Sequence, residues 1–327
     1  MGILNIIRRE GTILGHKKTS VYIGEEIAKY GFPEGHPFGL DRHGVFLNEF
    51  NKRNLSEKVN VEKPVWADEN ILSLFHTQDY IQKVKSLSKS GIGYLDMGDT
   101  PAFKGVFEAA SYVVGSVVDA ADKIMKGDVI KRAFIPIAGL HHAHKHTASG
   151  FCVFNDCAVV ISYLFQKYQL QRVAYVDIDA HHGDGVFYGF EDDKRVIFAD
   201  LHQHGIFPGT GDAHETGIGE AEGFKLNIPM PFGADDDEFA KEWTNVEDFL
   251  MENKPEFIIF QCGADSLKGD PITSMGYTEK SHALAAQRLC KIADNMCEGR
   301  IIGTGGGGYN RINLANAWNS VVEKFIQ

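Results

Sequence analysis

The sequence predicts an α/β fold: one central, mainly parallel β-sheet with helices on both faces. Short branched-apolar runs alternate with helical patterns along nearly the whole chain of 327 residues, as strand–helix units of a covered sheet do. The strand candidates are apolar at almost every position, which fits strands buried on both faces. With no internal repeat, low-complexity segment or Pro/Ser-rich linker, residues 1–327 are expected to form a single domain.

In chain order, the first strand candidate is ILNII at 3–7. A long helix is expected over 105–126, where Val106, Ala109, Ala110, Val113, Val114, Val117, Val118 and Ala121 recur with a period near 3.6. AFIPIA (133–138) reads as a strand, 156–169 as a helix, then RVAYVDID (172–179), RVIFADLH (195–202) and FKLNIPM (224–230) as strands. A helix at 236–253, the apolar strand EFIIFQCGA (256–264), a helix at 278–297, the strand RIIGTG (300–305) and a helix at 312–326 complete the pattern.

The formal net charge of −11 disfavours nucleic acid, whose phosphates need a basic face. An acidic surface accommodates a basic peptide or amine. Five cysteines, odd in number and without a CxxC pair, predict a reduced, cytoplasmic chain. The apolar part of the N-terminus is too short for a signal peptide, and Ile6 stands where a myristoylation signal needs Ser or Thr. Glu108 and Asp119 interrupt the most apolar stretch, so no membrane span is expected. Nothing in the sequence addresses oligomeric state.

Ligands of an open parallel sheet gather at the carboxyl ends of its strands. Here those ends read VDIDAHHGDG, FQCGADS and GTGGGGYN, joined by LHHAHKHTASGF after the 133–138 strand. A buried carboxylate costs several kcal/mol unless it is paired or bound to a metal, so the acids of VDIDAHHGDG require compensation. Asp179 and His181 with the distant Asp265 make a ligand set of two carboxylates and one imidazole, leaving a position for water, the catalytic type of zinc site. Fe²⁺, Co²⁺ or Mn²⁺ would also be tolerated. The alternative is a metal-free hydrogen-bond network that fixes the loops. His141 and His142 are candidate bases, with Asp177 and Asp184 left to orient them. His144, His146 and His182 remain over and are expected to be structural or exposed. GTGGGGYN matches a dinucleotide fingerprint only formally, since no strand follows to complete a βαβ unit. Its glycines instead suit close backbone approach, bringing Tyr309 to the site.

Taken together, these segments resemble the histone deacetylases of the arginase/deacetylase fold, specifically the class I-like group that includes acetoin-utilisation proteins. YGFPEGHPFGLDR, FHTQDYIQKV, GDTPAFKGVFEAA, LHHAHKHTASGFCVFND, VAYVDIDAHHGDGV, IFPGTGD, GEAEGFKLNIPMP, FQCGADSLKGDP and GTGGGGYN follow the family's order from about residue 30 to 310. The resemblance implies removal of acetyl groups from acetyl-lysine, with acetylpolyamines or other small acetylated amines as the alternative substrates, and an inactive acyl-lysine binding module as a rival of another class. It implies Zn²⁺ (or Fe²⁺) on Asp179, His181 and Asp265, His–Asp pairs His141–Asp177 and His142–Asp184, and Tyr309 at the transition state. Phe151, Phe207, Gly150, Ile272 and Gly307 would line a lysine tunnel, Asp99 would bind substrate backbone at its rim, and Arg42 would stand at an inner acetate channel. From the residues alone, Phe151 and Phe207 would be core and Arg42 an exposed charge. Gly183 and Leu267 replace two aspartates of the related binuclear manganese enzymes, which implies a mononuclear site. Asp200 stands where deacetylases commonly have serine, near a structural K⁺ site.

Overall fold

The computed structural model describes residues 17–33, 35–127 and 129–327. Its strands are β1 (Thr19–Tyr22), β2 (Asn60–Glu62), β3 (Arg132–Ile135), β4 (Val173–Asp177), β5 (Val196–Gln203), β6 (Lys225–Met230), β7 (Phe257–Gln261) and β8 (Ile301–Thr304). The helices are α1 (Glu25–Ala28), α2 (Arg42–Lys52), α3 (Glu69–Leu72), α4 (Gln78–Ser90), α5 (Val106–Lys126), α6 (Asp156–Tyr168), α7 (Asp184–Gly189), α8 (Asp236–Asn253), α9 (Glu279–Met296) and α10 (Arg311–Ile326).

The strands form one sheet in the order β2-β1-β3-β8-β7-β4-β5-β6, every neighbouring pair parallel. All carboxyl ends therefore lie along one edge. The central strands β3, β4, β7 and β8 are buried at every position, the physical reason for their unbroken apolar sequences. Helices α4, α5 and α6 pack together, as do α2, α8, α9 and α10, giving a layer for each face. The apolar stripe of α5 is buried along its length.

Side-chain caps fix where the helices begin. Asn155 accepts from the Ala158 N–H at α6, Asn310 from Ile312 and Asn313 at α10, and Asp235 forms a capping box with Glu238 at α8.

The strand expected at 3–7 lies outside the described residues. β1 and β2 were not legible because four and three residues are too few to show a period. Thr19 and Ser20 of β1 are polar yet buried, because Thr19 donates to the Phe325 carbonyl and Ser20 to Glu62. Helices α2 and α4 were also missed. Their sequences are mostly polar, and each buries only four side chains, including Arg42 and His43 in α2 and Ser88 in α4. β8 lies mid-sheet and leads into α10, with no strand after it among the described residues. No described helix is long and apolar enough to cross a membrane.

Candidate active site

Strand β4 ends at Asp177, and the chain then turns so that Asp179 and His181 meet Asp265 from the turn after β7. Ligand atoms of these three residues lie within 4.8 Å of one another. His181 Nδ1 is 3.1 Å from both Asp179 Oδ1 and Asp265 Oδ2. Further donors hold the carboxylates: Gln261 Nε2 and Gly307 N–H reach Asp179 Oδ2 at 2.9 and 2.8 Å, and the Ala180 N–H reaches Asp265 Oδ1 at 2.9 Å.

The electrostatics of this cluster call for a cation. Burial, then the charge of Asp179, pushes Asp265 up to about 7. Burial alone would raise Asp179, but His141 and His181 hold it well below the usual carboxylate range. Burial would lower His181, yet Asp179 and Asp265 push it up to about 10. A positive centre is thus favoured between two buried acids, where a divalent ion would displace the imidazole proton.

The glycines after β8 make room for these acids. A Cβ at Gly307 would collide with Asp265 Oδ2 and come within 2.8 Å of Asp179 Oδ2, and one at Gly263 would collide with Asp179. Gly307 does not adopt the left-handed conformation, so Gly307→Ala tests space alone. It is expected to weaken divalent-metal affinity by about 10- to 100-fold, like loss of a partner that orients a ligand. Chelator competition measures this, and unchanged affinity would show that the carboxylates do not depend on that space.

The two histidines come from the irregular segment after β3, whose shape is set by the start of α6. Asp156 accepts from the Gly139 and Leu140 N–H groups at 2.9 and 2.8 Å, and Asn155 Nδ2 donates to the carbonyls of His141 and Ala143 at 3.1 and 2.9 Å. Adjacent side chains can therefore face one site, with ring centroids 4.0 Å apart. His141 Nδ1 lies 2.7 Å from Asp177 Oδ2, and His142 Nδ1 2.6 Å from Asp184 Oδ1. Each carboxylate fixes the proton on Nδ1 and leaves Nε2 as the acceptor. Burial and then His141 push His142 down to about 4, so it is neutral near pH 7. Burial, then Asp200 and Asp179, pushes Asp177 up, while donors from Tyr175, His141 and the Asp179 N–H keep it an acceptor.

Phe207 packs on His142 and His181 with centroids 5.1 and 6.2 Å apart, and Phe151 packs edge-on to Tyr309 at 6.0 Å. A Cβ at Gly150 would collide with the His142 imidazole. Phe207 is 44% exposed and Ile272 42%, and Phe207 borders a groove that Asp96, Met97, Asp99 and His144 also line. Phe151 is only partly buried. The sequence-only reading as core is therefore overturned for Phe207, whereas Phe151 packs against the core. Arg42 is likewise not an exposed charge but wholly buried. It lies behind the glycine run, with Nε donating to the Gly308 carbonyl at 3.0 Å, Nη2 to the Gly306 carbonyl at 2.6 Å, and the guanidinium 3.8 Å from the Phe38 ring centre. Aromatic stacking and carbonyl acceptors allow that charge inside.

Other residues of the site escaped sequence reasoning. Gln261 supports Asp179, and Tyr175 donates to the Asp177 oxygen that His141 uses. Asp270 accepts from the N–H groups of Tyr309 and Asn310 at 2.8 and 3.3 Å. A polar residue within the apolar run of β7 was the one available signal, for Gln261. Of the histidines left over, His144 Nε2 is 3.2 Å from Asp184 Oδ2, His182 is buried against Thr210, and His146 is exposed.

A family model described as the histone deacetylase domain matches residues 36–325. The chain belongs to the histone deacetylase family. It is 38% identical over 291 residues to the acetoin utilization protein AcuC of Bacillus subtilis, covering 86% of this chain and 75% of that one. It is 34% identical over 314 residues to the histone deacetylase clr6 of Schizosaccharomyces pombe, covering 93% and 76%, and 33% identical over 297 residues to a probable deacetylase of Archaeoglobus fulgidus, covering 89% and 81%. The crystal structure of the HDA15 HD domain superposes with a TM-score of 0.87 at 26% identity, over 95% of this chain and 88% of that one.

The chain is thus a deacetylase-type hydrolase acting on an acetylated substrate, in a family that is generally metal-dependent. Among the described residues, Asp179, His181 and Asp265 form the one such group able to hold an ion. Family resemblance set Asp200 near a monovalent-cation site. In the structure Asp200 faces Asp177 across β4 and β5, with Oδ1 2.8 Å from His202 Nδ1 and Oδ2 accepting from the Gly183 N–H at 2.8 Å.

Proposed function

We propose that the protein is a zinc-dependent deacetylase of acetyl-lysine side chains in proteins or peptides, with Fe²⁺ as an alternative ion and a mononuclear centre. One observation carries this reading. Two buried His–Asp pairs lie against the Asp179–His181–Asp265 cluster, His141 Nε2 3.9 Å from Asp179 and the His142 ring 6.0 Å from that of His181, and Tyr309 is close enough to feel the charges of Asp265 and Asp179.

Bound at the three ligands, the ion would polarise the amide carbonyl and lower the pKa of a water. Asp184 holds His142 in the tautomer whose Nε2 takes a proton as that water attacks, and His142 then returns it to the leaving amine. His141, oriented by Asp177, contributes a second hydrogen bond through Nε2. Tyr309 donates a hydrogen bond from its phenol to the carbonyl oxygen as negative charge develops there. Products are acetate and free amine. Phe151 and Phe207 flank the lysine stem, Gly150, Ile272 and Gly307 complete the tunnel, and Arg42 stands on the acetate exit. The buried, free cysteines agree with a reducing, cytoplasmic setting.

Asp99 at the mouth favours a peptide over an acetylpolyamine, since it can accept from backbone N–H groups. A groove of about 590 Å³ lined by Asp96, Met97, Asp99, His144 and Phe207 gives room for chain beside the lysine. Partial burial of its carboxyl and the facing Asp96 raise Asp99 to about 6. Its ionised, accepting form therefore predominates above pH 6 and is lost as pH falls through that value. The peptide KM is expected to rise on acidification from pH 7 to 5, and the rise to vanish in Asp99→Asn. A peptide KM with the same pH dependence in both proteins would remove Asp99 from substrate binding. Acetate release by metal-reconstituted protein across acetyl-lysine peptides, acetylpolyamines and longer acyl-lysines tests the substrate class, and a preference for acetylpolyamines would replace this reading.

A further inference from the structure

The loop that carries Asp99 has few anchors of its own. Its Ile92, Tyr94 and Met97 are 76%, 55% and 103% exposed, and of residues 92–100 only Leu95 and Thr100 are buried. Asp96 Oδ1 accepts from the N–H groups of Gly98, Asp99 and Thr100 at 2.9, 3.1 and 3.0 Å, which shapes the turn without placing it. Placement comes from three contacts with other segments, one of them Lys83 Nζ of α4 donating to the Leu95 carbonyl at 2.9 Å. Thr100 Oγ1 accepts from the Phe151 N–H at 3.1 Å and donates to Asp99 Oδ1 at 3.0 Å. The third contact is His36, in the loop between α1 and α2.

His36 Nδ1 accepts from the Phe38 N–H at 3.1 Å, so its proton must be on Nε2. Nε2 lies 3.2 Å from the Asp99 carbonyl oxygen, to which it donates. The ring also packs edge-on to Phe151 and against Phe32, with centroids 4.5 and 4.6 Å apart. One imidazole thus ties three loops at the mouth. The bond accepted at Nδ1 requires the neutral ring, and burial lowers the His36 pKa in that direction.

We propose that His36 is a positioning residue that holds the Asp99 loop against Phe151 and so determines how firmly a peptide backbone is gripped at the tunnel mouth. This rests on the reading of Asp99 as the backbone-binding residue.

His36→Asn separates this role from a merely local one. Asparagine can accept from the N–H two residues on, preserving the turn, but it is too short to reach Asp99 and has no ring. With an acetyl-lysine peptide, His36→Asn is expected to raise KM about three- to tenfold, the size of one lost hydrogen bond, with kcat nearly unchanged. With N-acetylbutylamine, which has the same acetylated arm and no backbone, kcat/KM is expected to stay at the wild-type value. His36→Gln, whose longer amide reaches the Asp99 carbonyl, is expected to recover part of the peptide KM. Asp99→Ala, measured alongside, is expected to show the same peptide-selective loss.

An unchanged peptide KM in His36→Asn, with a raised one in Asp99→Ala, would overturn the proposal and leave the reading of Asp99 intact. Equal losses on both substrates, or no recovery in His36→Gln, would also overturn it. An unchanged peptide KM in Asp99→Ala would sink that reading and the proposal with it.

Discussion

Asp265→Ala is expected to lose bound metal and hydrolytic activity together. Asp265 is wholly buried and supplies one of two carboxylates around His181 Nδ1, at 3.1 Å. Outer partners of metal ligands are each worth about 10- to 100-fold in affinity, so losing an anionic ligand should exceed about 100-fold. The substitution also leaves the Ala180 N–H without its acceptor, a cost of about 1–3 kcal/mol for a buried donor, but it removes repulsion with Asp179. The protein should therefore stay folded while its metal is lost. Metal analysis after dialysis, with circular dichroism and acetate release on the same sample, checks this. Full metal occupancy in the variant would contradict the ligand assignment, whatever its activity.

Tyr309→Phe should keep the metal and lose turnover. Burial, then the charges of Asp265 and Asp179, raises the Tyr309 phenol well above its ordinary range. It therefore remains a neutral donor throughout the working pH range. Loss of one donor to a developing oxyanion lowers kcat by about 10²–10³. Because the interaction strengthens with developing charge, KM should change far less than kcat. The backbone of Tyr309 is held by Asp270, and its ring by Phe151, independently of the hydroxyl, so phenylalanine should preserve the geometry. Near-wild-type turnover at full metal occupancy would remove Tyr309 from the mechanism.

Much of this site was legible before the fold was known. Acids and histidines at the ends of apolar strands are conspicuous because burial there is costly without compensation. Asp179, His181 and Asp265 stood out for that reason. The supporting residues did not. Gln261, Tyr175, Asp156 and Asp270 act on partners 82, 2, 17 and 39 residues away, respectively. Only Tyr175, two residues from Asp177 on the same face of β4, stands in a local period with its partner; no local pattern marks the other pairings. The residue-level reading failed most clearly for Arg42, since charge normally means exposure. Its buried position depends on the Gly306 and Gly308 carbonyls, 264 and 266 residues along the chain, and on the Phe38 ring.

The amino-acid order determined the α/β class, the strands and helices with a strong apolar pattern, and which strand ends would carry chemistry, because burial on two faces writes itself as local pattern. Tertiary structure decided the rest. Two strand ends converge their three ligand residues within 4.8 Å, the glycines let backbone and carboxylates share one space, and His36 meets Asp99 across 63 residues. Such distances follow from parallel strand order and close packing, which no local segment encodes.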